Sequence, residues 1–299
     1  MIRFRIGNVT ATLVQETVDT SFEFLTFFPL ATAQAVDENL SWMAPGHYDP
    51  ATGRMLLSMH SWLLDTGRHK ILIDGCVGND KERPGRPDWC NLQTPYLDRL
   101  AAAGATPEQI DYVLCTHLHA DHVGWNTRLV GDRWVPTFPN AKYVFSKIEN
   151  DYWAARYAAD AKGHHILGYK DSVLPVIEAG QALIVDEYAE IAGCLSLEPA
   201  PGHTPGHVAI WLKSNDAHAV MTGDILHHPI QVKYPQWSCF GCIDQKQSAE
   251  TRLRILEQTC ERRALLLPGH FMAPHAGYVD EKPGGFAFRH PEFDQGRKS

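Results

Sequence analysis

The chain has 299 residues, 44% of them hydrophobic, which is enough to fill the core of a single large α/β domain. Its 27 Lys and Arg against 35 Asp and Glu leave a net charge of −8, which argues against nucleic acid or an anionic membrane as partner. No apolar run approaches the length of about eighteen residues that a membrane helix needs, and Met1-Ile-Arg-Phe-Arg-Ile lacks the order of a secretory signal, so a cytoplasmic protein is expected.

Residues 2–6 and 9–15 are predicted strands joined by the turn-type pair Gly7-Asn8. From Thr17 to Gly53 the period is lost: Phe22, Phe24, Phe27, Phe28, Trp42, Met43 and Tyr48 fall irregularly among prolines. Leaving so many large apolar side chains in water is costly, so this aromatic arm (about 17–57) is expected to fold back. It would serve either as a lid walling a site or as a surface buried in a homodimer. Strands follow at 60–65 and 69–74, then a loop to 92, then a helix from Thr94-Pro95 to Gly104. A strand at 142–145 leads into a helix capped by Ser146.

The second half repeats the theme, with strands near 181–185, 195–199, 207–212, 217–222 and 265–267. Between the last two lies a helix expected to start at Ser248 and to bury Ala249, Leu253, Leu256 and Cys260. From Asp280 a polar, glycine-rich tail is expected, anchored by Phe286, Phe288 and Phe293. The 7 cysteines form no framework and are expected to be free in a reducing compartment. Cys239-Phe-Gly-Cys242 has the spacing of zinc and redox motifs but no second pair and no βαβ context, and reads as an ordinary loop.

The densest chemistry lies at His117-Leu-His119-Ala-Asp121-His122, three imidazoles and a carboxylate directly after the apolar run Tyr112-Val-Leu. A strand end releases side chains from strict alternation and can fan them around one point, and these are ligand types for Zn, Fe, Mn, Co or Ni. Three more ligand-type residues close apolar strands next to a glycine: His203 in Pro201-Gly-His-Thr-Pro-Gly-His207, Asp224 in Thr222-Gly-Asp224, and His270 in Pro268-Gly-His270.

This set resembles the metallo-β-lactamase superfamily of binuclear metallohydrolases, over roughly residues 58–279. The resemblance implies a four-layer αβ/βα sandwich, two mixed sheets flanked by helices, with two divalent cations at one edge. Zinc is expected first, with Fe, Mn, Co or Ni also suited. By position His117, His119 and His203 would hold one metal, Asp121, His122 and His270 the other, and Asp224 would bridge them. A shared hydroxide, oriented by Asp121, would then attack a carbonyl or phosphoryl centre. His207, four residues past a ligand, is expected to support the site from behind. Where the acyl-homoserine lactonases of the superfamily carry a tyrosine, three residues past the bridging aspartate, this chain has His227, a feature shared with the methyl parathion hydrolase branch. His227 therefore joins Asp121 and Asp224 as a catalytic candidate. Trp125, His228, Trp237, Phe27 and Phe28 are the expected pocket residues, and His275 a further candidate. The leading expectation is hydrolysis of a lactone or carboxylic ester of a hydrophobic small molecule. Phosphotriester hydrolysis is the alternative, with thioester hydrolysis, a mononuclear-iron dioxygenase and a non-catalytic scaffold behind it.

Overall fold

Alternating apolar residues give each strand two faces with different destinations. Trp62, Leu64, Ile71, Ile73 and Leu114 point into one cluster, while their neighbours Leu63, Leu72 and Val113 point into another. In the computed structural model, which describes residues 1–186 and 188–291, these strands belong to a seven-stranded sheet. Its spatial order is Arg3–Ile6, Val9–Asp19, Leu57–Asp65, Lys70–Ile73, Tyr112–Leu114, Lys142–Ser146 and Ala182–Val185. The first four pair antiparallel and the rest join in parallel. A five-stranded sheet runs Glu190–Ile191, Leu195–Pro199, Val208–Ser214, Ala217–Gly223 and Leu265–Pro268, with only its last pair parallel.

The cluster between the sheets joins Trp62, Ile71 and Leu114 to Ile210, Met221 and Leu267. On the outer face of the larger sheet Tyr96 and Leu100 of helix Tyr96–Ala103 and Trp153 of helix Lys147–Ala158 pack with Val113 and Phe145. On the outer face of the smaller sheet Ile255 and Leu256 of helix Gln245–Glu261 pack with Trp211, Val220 and Leu266. Helix, sheet, sheet, helix: the expected four layers are present. Each fully buried Leu, Ile or Val contributes about 1.5–3 kcal/mol, so the inter-sheet cluster is a principal source of stability.

Three expectations need correction. The arm is not irregular throughout. Strand Val9–Asp19 runs four residues further than expected, past a register shift between Gln15 and Thr17, and Ala33–Met43 is a helix capped by Thr32. Its buried positions Val36, Asn39 and Met43 keep helical spacing, but an asparagine in the stripe hides the pattern. The later helix starts at Gln245 under an Asp244 cap, and its buried face is Ser248, Thr251, Arg252, Ile255, Leu256 and Thr259, with Leu253 on the exposed side. Arg252 is tolerated there because its guanidinium donates to Ile225 O at 2.6 Å, Pro235 O at 2.7 Å and Ser248 Oγ at 3.0 Å. The polar tail is a hairpin, Tyr278–Lys282 with Gly285–Arg289, and Phe286 and Phe288 pack against the outer helix cluster. Phe293 lies outside the described residues. No described helix is long and apolar enough to cross a membrane.

Candidate metal centre

The loops that carry the sequence candidates meet at one edge of the two sheets. His117–His122 leaves strand Tyr112–Leu114, His203 follows Leu195–Pro199, Asp224 follows Ala217–Gly223 and His270 follows Leu265–Pro268. Gly223 sits at φ +46° just after a register shift, and a Cβ there would lie 2.3 Å from Thr116 Oγ1 and 2.9 Å from His207 Nε2. Only glycine lets the Asp224 loop press this closely on the His117 loop.

All seven candidates are buried, and their ligand atoms fall into two groups. His117, His119, His203 and Asp224 each offer one atom within 4.8 Å of the others, and so do Asp121, His122 and His270. Asp224 faces both. Its Oδ2 is 3.0 Å from His203 Nε2 and 3.6 Å from His117 Nε2, while its Oδ1 is 3.0 Å from His122 Nε2 and 2.9 Å from His270 Nε2. Within each group ring nitrogens confront one another, His203 Nε2 with His119 Nδ1 at 2.9 Å and His122 Nε2 with His270 Nε2 at 3.1 Å. His117 Nε2 is buried with no hydrogen-bond partner. Lone pairs that converge this closely need a cation or shared proton between them, so the donor set fits two divalent ions.

The protons follow the same logic. Burial and the neighbouring His122 hold His117 well below the ordinary imidazole range, and burial and the stacked His165 do the same to His119. Burial also works against a charge on His122, but Asp224, Asp74 and Asp121 outweigh it and raise this ring well above that range. For His203 the gain from Asp224 and Cys242 over burial brings the ring to about 10. Burial would push Asp224 up, yet His122, His227, His270 and His203 hold it well down.

Side chains behind the centre fix its rings. Asp74 Oδ2 lies 3.0 Å from His122 Nδ1, and Asp74 Oδ1 accepts from Thr116 N at 2.8 Å, so His122 presents Nε2 to the centre. His117 Nδ1 bonds Thr116 Oγ1 at 3.1 Å and His270 Nδ1 bonds Ser58 O at 3.2 Å. His207 Nε2 accepts from Asp224 N at 3.1 Å, and its ring stacks on His117. Glu149 clamps two loops together: its carboxylate accepts from Leu118 N at 3.0 Å, Trp153 Nε1 at 2.8 Å, Thr204 Oγ1 at 2.7 Å and Gly206 N at 3.0 Å.

A cleft of about 340 Å³ opens onto the centre, with Asp121, His203, Asp224 and His270 at its floor. Its walls are largely apolar: Phe22 and Phe27 from the arm, Leu57, Met59, Trp89 and Phe240. Arg86 edges it, stacked on Phe22 and Trp89 and neutralised by Asp19 Oδ2 at 2.8 Å.

A model of the family described as the metallo-beta-lactamase superfamily matches residues 56–280, three quarters of the chain. The chain belongs to the metallo-beta-lactamase superfamily. Within this superfamily it is 27% identical to an N-acyl homoserine lactonase, AttM, of Rhizobium radiobacter, over 49% of this chain and 56% of that protein. The chain thus spans about half the length of that relative. Its fold superposes on the hydrolase AbOPH of the beta lactamase superfamily with a TM-score of 0.82 at 25% identity, covering 98% of this chain and 97% of that one. It superposes on AidC, a dizinc quorum-quenching lactonase, with a TM-score of 0.77 at 20% identity, covering 97% of each.

Against that superfamily frame, the structure brings together all seven expected ligand residues, with His207 behind them and His227 beside them. His227 Nε2 is 3.1 Å from Asp224 Oδ2, and its ring borders the cleft. The expected pocket is corrected, for only Phe27 lines it. Trp125 stacks on Tyr96 and donates to Glu16 Oε1 at 2.6 Å, inside the core of the first half. Trp237 stacks on Tyr234, Phe28 is buried against Trp237, and His228 bonds His47 O at 3.3 Å, all one layer behind the wall. His275 packs against His60. Trp125 directly follows the 117–124 loop in the chain, yet the turn there sends its ring into the core rather than the cleft.

Sequence reasoning also missed Asp74, Glu149, His165 and the wall residues Trp89 and Phe240. Asp74 carried a usable signal, an acid closing an apolar strand like the ligands themselves. His165, whose Nδ1 accepts from Ala120 N at 3.1 Å and whose ring stacks on His119, carried none.

Proposed function

We propose that this protein is a metal-dependent hydrolase that opens a lactone or carboxylic ester bearing an apolar group. The observation that carries the reading is Asp224, whose two carboxylate oxygens each face a separate cluster of buried nitrogen and oxygen ligands. His117, His119 and His203 would hold one divalent ion, Asp121, His122 and His270 the other, and Asp224 would reach both. Zinc is the first choice, and Fe, Mn, Co and Ni suit the same ligands. Bound there, such ions supply Lewis acidity that activates water near neutral pH and polarises the attacked oxygen.

The chain's own residues then divide the remaining work. Asp74, Thr116 and Ser58 hold the ligand rings in one orientation. Asp121, facing the cleft beside His270, orients the attacking water. His227, whose Nε2 bonds Asp224 Oδ2, donates instead to a substrate oxygen that enters beside it. Phe22, Phe27, Leu57, Met59, Trp89 and Phe240 exclude bulk water and receive the apolar part of the substrate.

His227 supports a second reading, phosphotriester hydrolysis, because an imidazole stands where the lactonase branch carries a phenol. Turnover of a panel of acyl lactones, aryl esters and neutral phosphotriesters by zinc-loaded protein tests both. We expect lactones or carboxylic esters to lead, with a KM that falls as the apolar group grows. Cleavage of none of the three classes would end the hydrolase reading, and one iron per chain would favour the dioxygenase instead.

A further inference from the structure

Cys239 and Cys242 stand against the Nδ1 side of the His203 ring, with Cys239 also beside His227. Their sulfurs are 3.5 Å apart, and both thiols are free and buried. Cys242 N donates to Cys239 O at 3.2 Å, closing a turn whose terminal Cα atoms fall within about 7 Å, close to the span a disulfide bridges. Cys239 and the two residues after it border the cleft, so a small oxidant reaches the pair by the substrate's route. Cys76, Cys90 and Cys115 instead bond to Ser61, Arg83 and Asn126.

The pair is tied to the metal centre twice. Through side chains, His203 Nδ1 lies 3.5 Å from Cys242 Sγ and 3.8 Å from Cys239 Sγ, and Cys239 Sγ lies 3.8 Å from His227 Nε2. Through the backbone, Ile243 N donates to His203 O at 3.1 Å and Asp244 N to Gly202 O at 2.9 Å. A change in the Cys239–Cys242 turn is therefore transmitted to the loop that carries His203.

We propose that Cys239 and Cys242 are a reversible redox modification site, whose disulfide removes the thiol partner of His203 and loosens the metal centre. The proposal rests on the metal-centre reading above. The oxidant is a peroxide. One sulfur, as its thiolate, attacks the distal peroxide oxygen to give a sulfenic acid, and water leaves when the peroxide is hydrogen peroxide. The second thiol attacks that sulfur, the S–S bond forms, and a second water carries off the hydroxyl. Two thiol protons and two electrons have then passed to one peroxide, and a dithiol reductant reverses the change by exchange. A disulfide sulfur has no proton to donate and is a poor acceptor, so His203 Nδ1 is left without the partner that holds its ring, a type of loss that typically weakens metal binding about 10–100-fold.

The test uses the full chain loaded with zinc and treated with stoichiometric hydrogen peroxide. Non-reducing peptide mapping reads the cross-link, and zinc retained against a competing chelator reads the coupling. We expect a Cys239–Cys242 link, zinc retention weakened at least about 10-fold, and recovery with dithiothreitol. Cys239→Ser and Cys242→Ser should show no such oxidant effect, while Cys76→Ser should respond as the parent does. Absence of the link, or a linked protein that keeps zinc as tightly as the reduced one, overturns the proposal. A chain that binds no zinc even when reduced refutes the metal centre itself, and with it the coupling, whereas the link is scored without metal.

Discussion

At the scale of single residues, Asp224 is the most exposed to test, because it serves two clusters at once. Asp224→Ala removes the oxygen that faces His117 and His203 together with the one that faces His122 and His270. The expected result is loss of measurable turnover and a metal affinity weakened more than about 100-fold for at least one ion, read by metal analysis after dialysis. Two equivalents of tightly held metal in the variant would remove its bridging role. His227 separates binding from chemistry. In His227→Phe the ring keeps its place against Phe27, while the Nε2 donor is lost. If His227 donates to the transition state, kcat falls about 10²-fold or more with KM little changed. A change in KM alone would make it a wall residue.

At the scale of elements, the site depends on buried polar clamps between loops. Glu149, from helix Lys147–Ala158, gathers four donors from three segments. Glu149→Ala strands those donors in a dry interior, at a cost of about 3 kcal/mol or more and a melting temperature lower by roughly 6 °C or more. A second clamp holds the loop that delivers Arg86 and Trp89 to the cleft. Arg83 grips Asp171 through two nitrogens at 2.7 and 3.1 Å, and Lys81 donates to Thr127 Oγ1 at 2.6 Å. Burial brings the Lys81 ammonium down to about 7, with Asp171 only partly opposing it. A lysine depressed in the fold binds its proton more tightly when unfolded, so stability rises with pH from about 7 to its unfolded value near 10.5 and is lost as pH falls through that window. Urea unfolding at pH 7 and pH 9.5 should show the parent gaining on Lys81→Met as pH rises. Parallel curves would mean that Lys81 stays charged throughout.

Much of this element scale was legible beforehand, and what was not has a physical cause. The ligand loops were readable because strand, glycine and ligand-type residue occur together in the chain. The clamps were not, because Glu149, Lys81 and Asp171 look like ordinary surface charges until packing buries them. The helix Gln245–Glu261 was misread for the same reason, since hydroxyls and one arginine occupy its inner face.

At the scale of the whole molecule, the centre is a seam between two halves that otherwise meet mainly through apolar contact. His117, His119, Asp121 and His122 come from the larger sheet's side, and His203, Asp224 and His270 from the smaller sheet's side. The arm closes over the seam, its Phe24, Phe27 and Phe28 buried in this same chain with Trp237. Every ion held at the seam would cross-link the halves, and it would favour the folded chain, because in the unfolded one His203, Asp224 and His270 lie far from the 117–122 run. Such binding stabilises by RT ln(1 + [L]/Kd), about 4 kcal/mol when the free metal stands a thousandfold above its dissociation constant. At roughly 2 °C per kcal/mol for a chain this large, stripping the metal should lower the melting temperature by about 8 °C, and zinc should restore it. Asp224→Ala should lose most of that response while Cys76→Ser keeps it. Equal melting temperatures with and without chelator would mean that the seven ligands do not hold the halves together, however well their atoms converge.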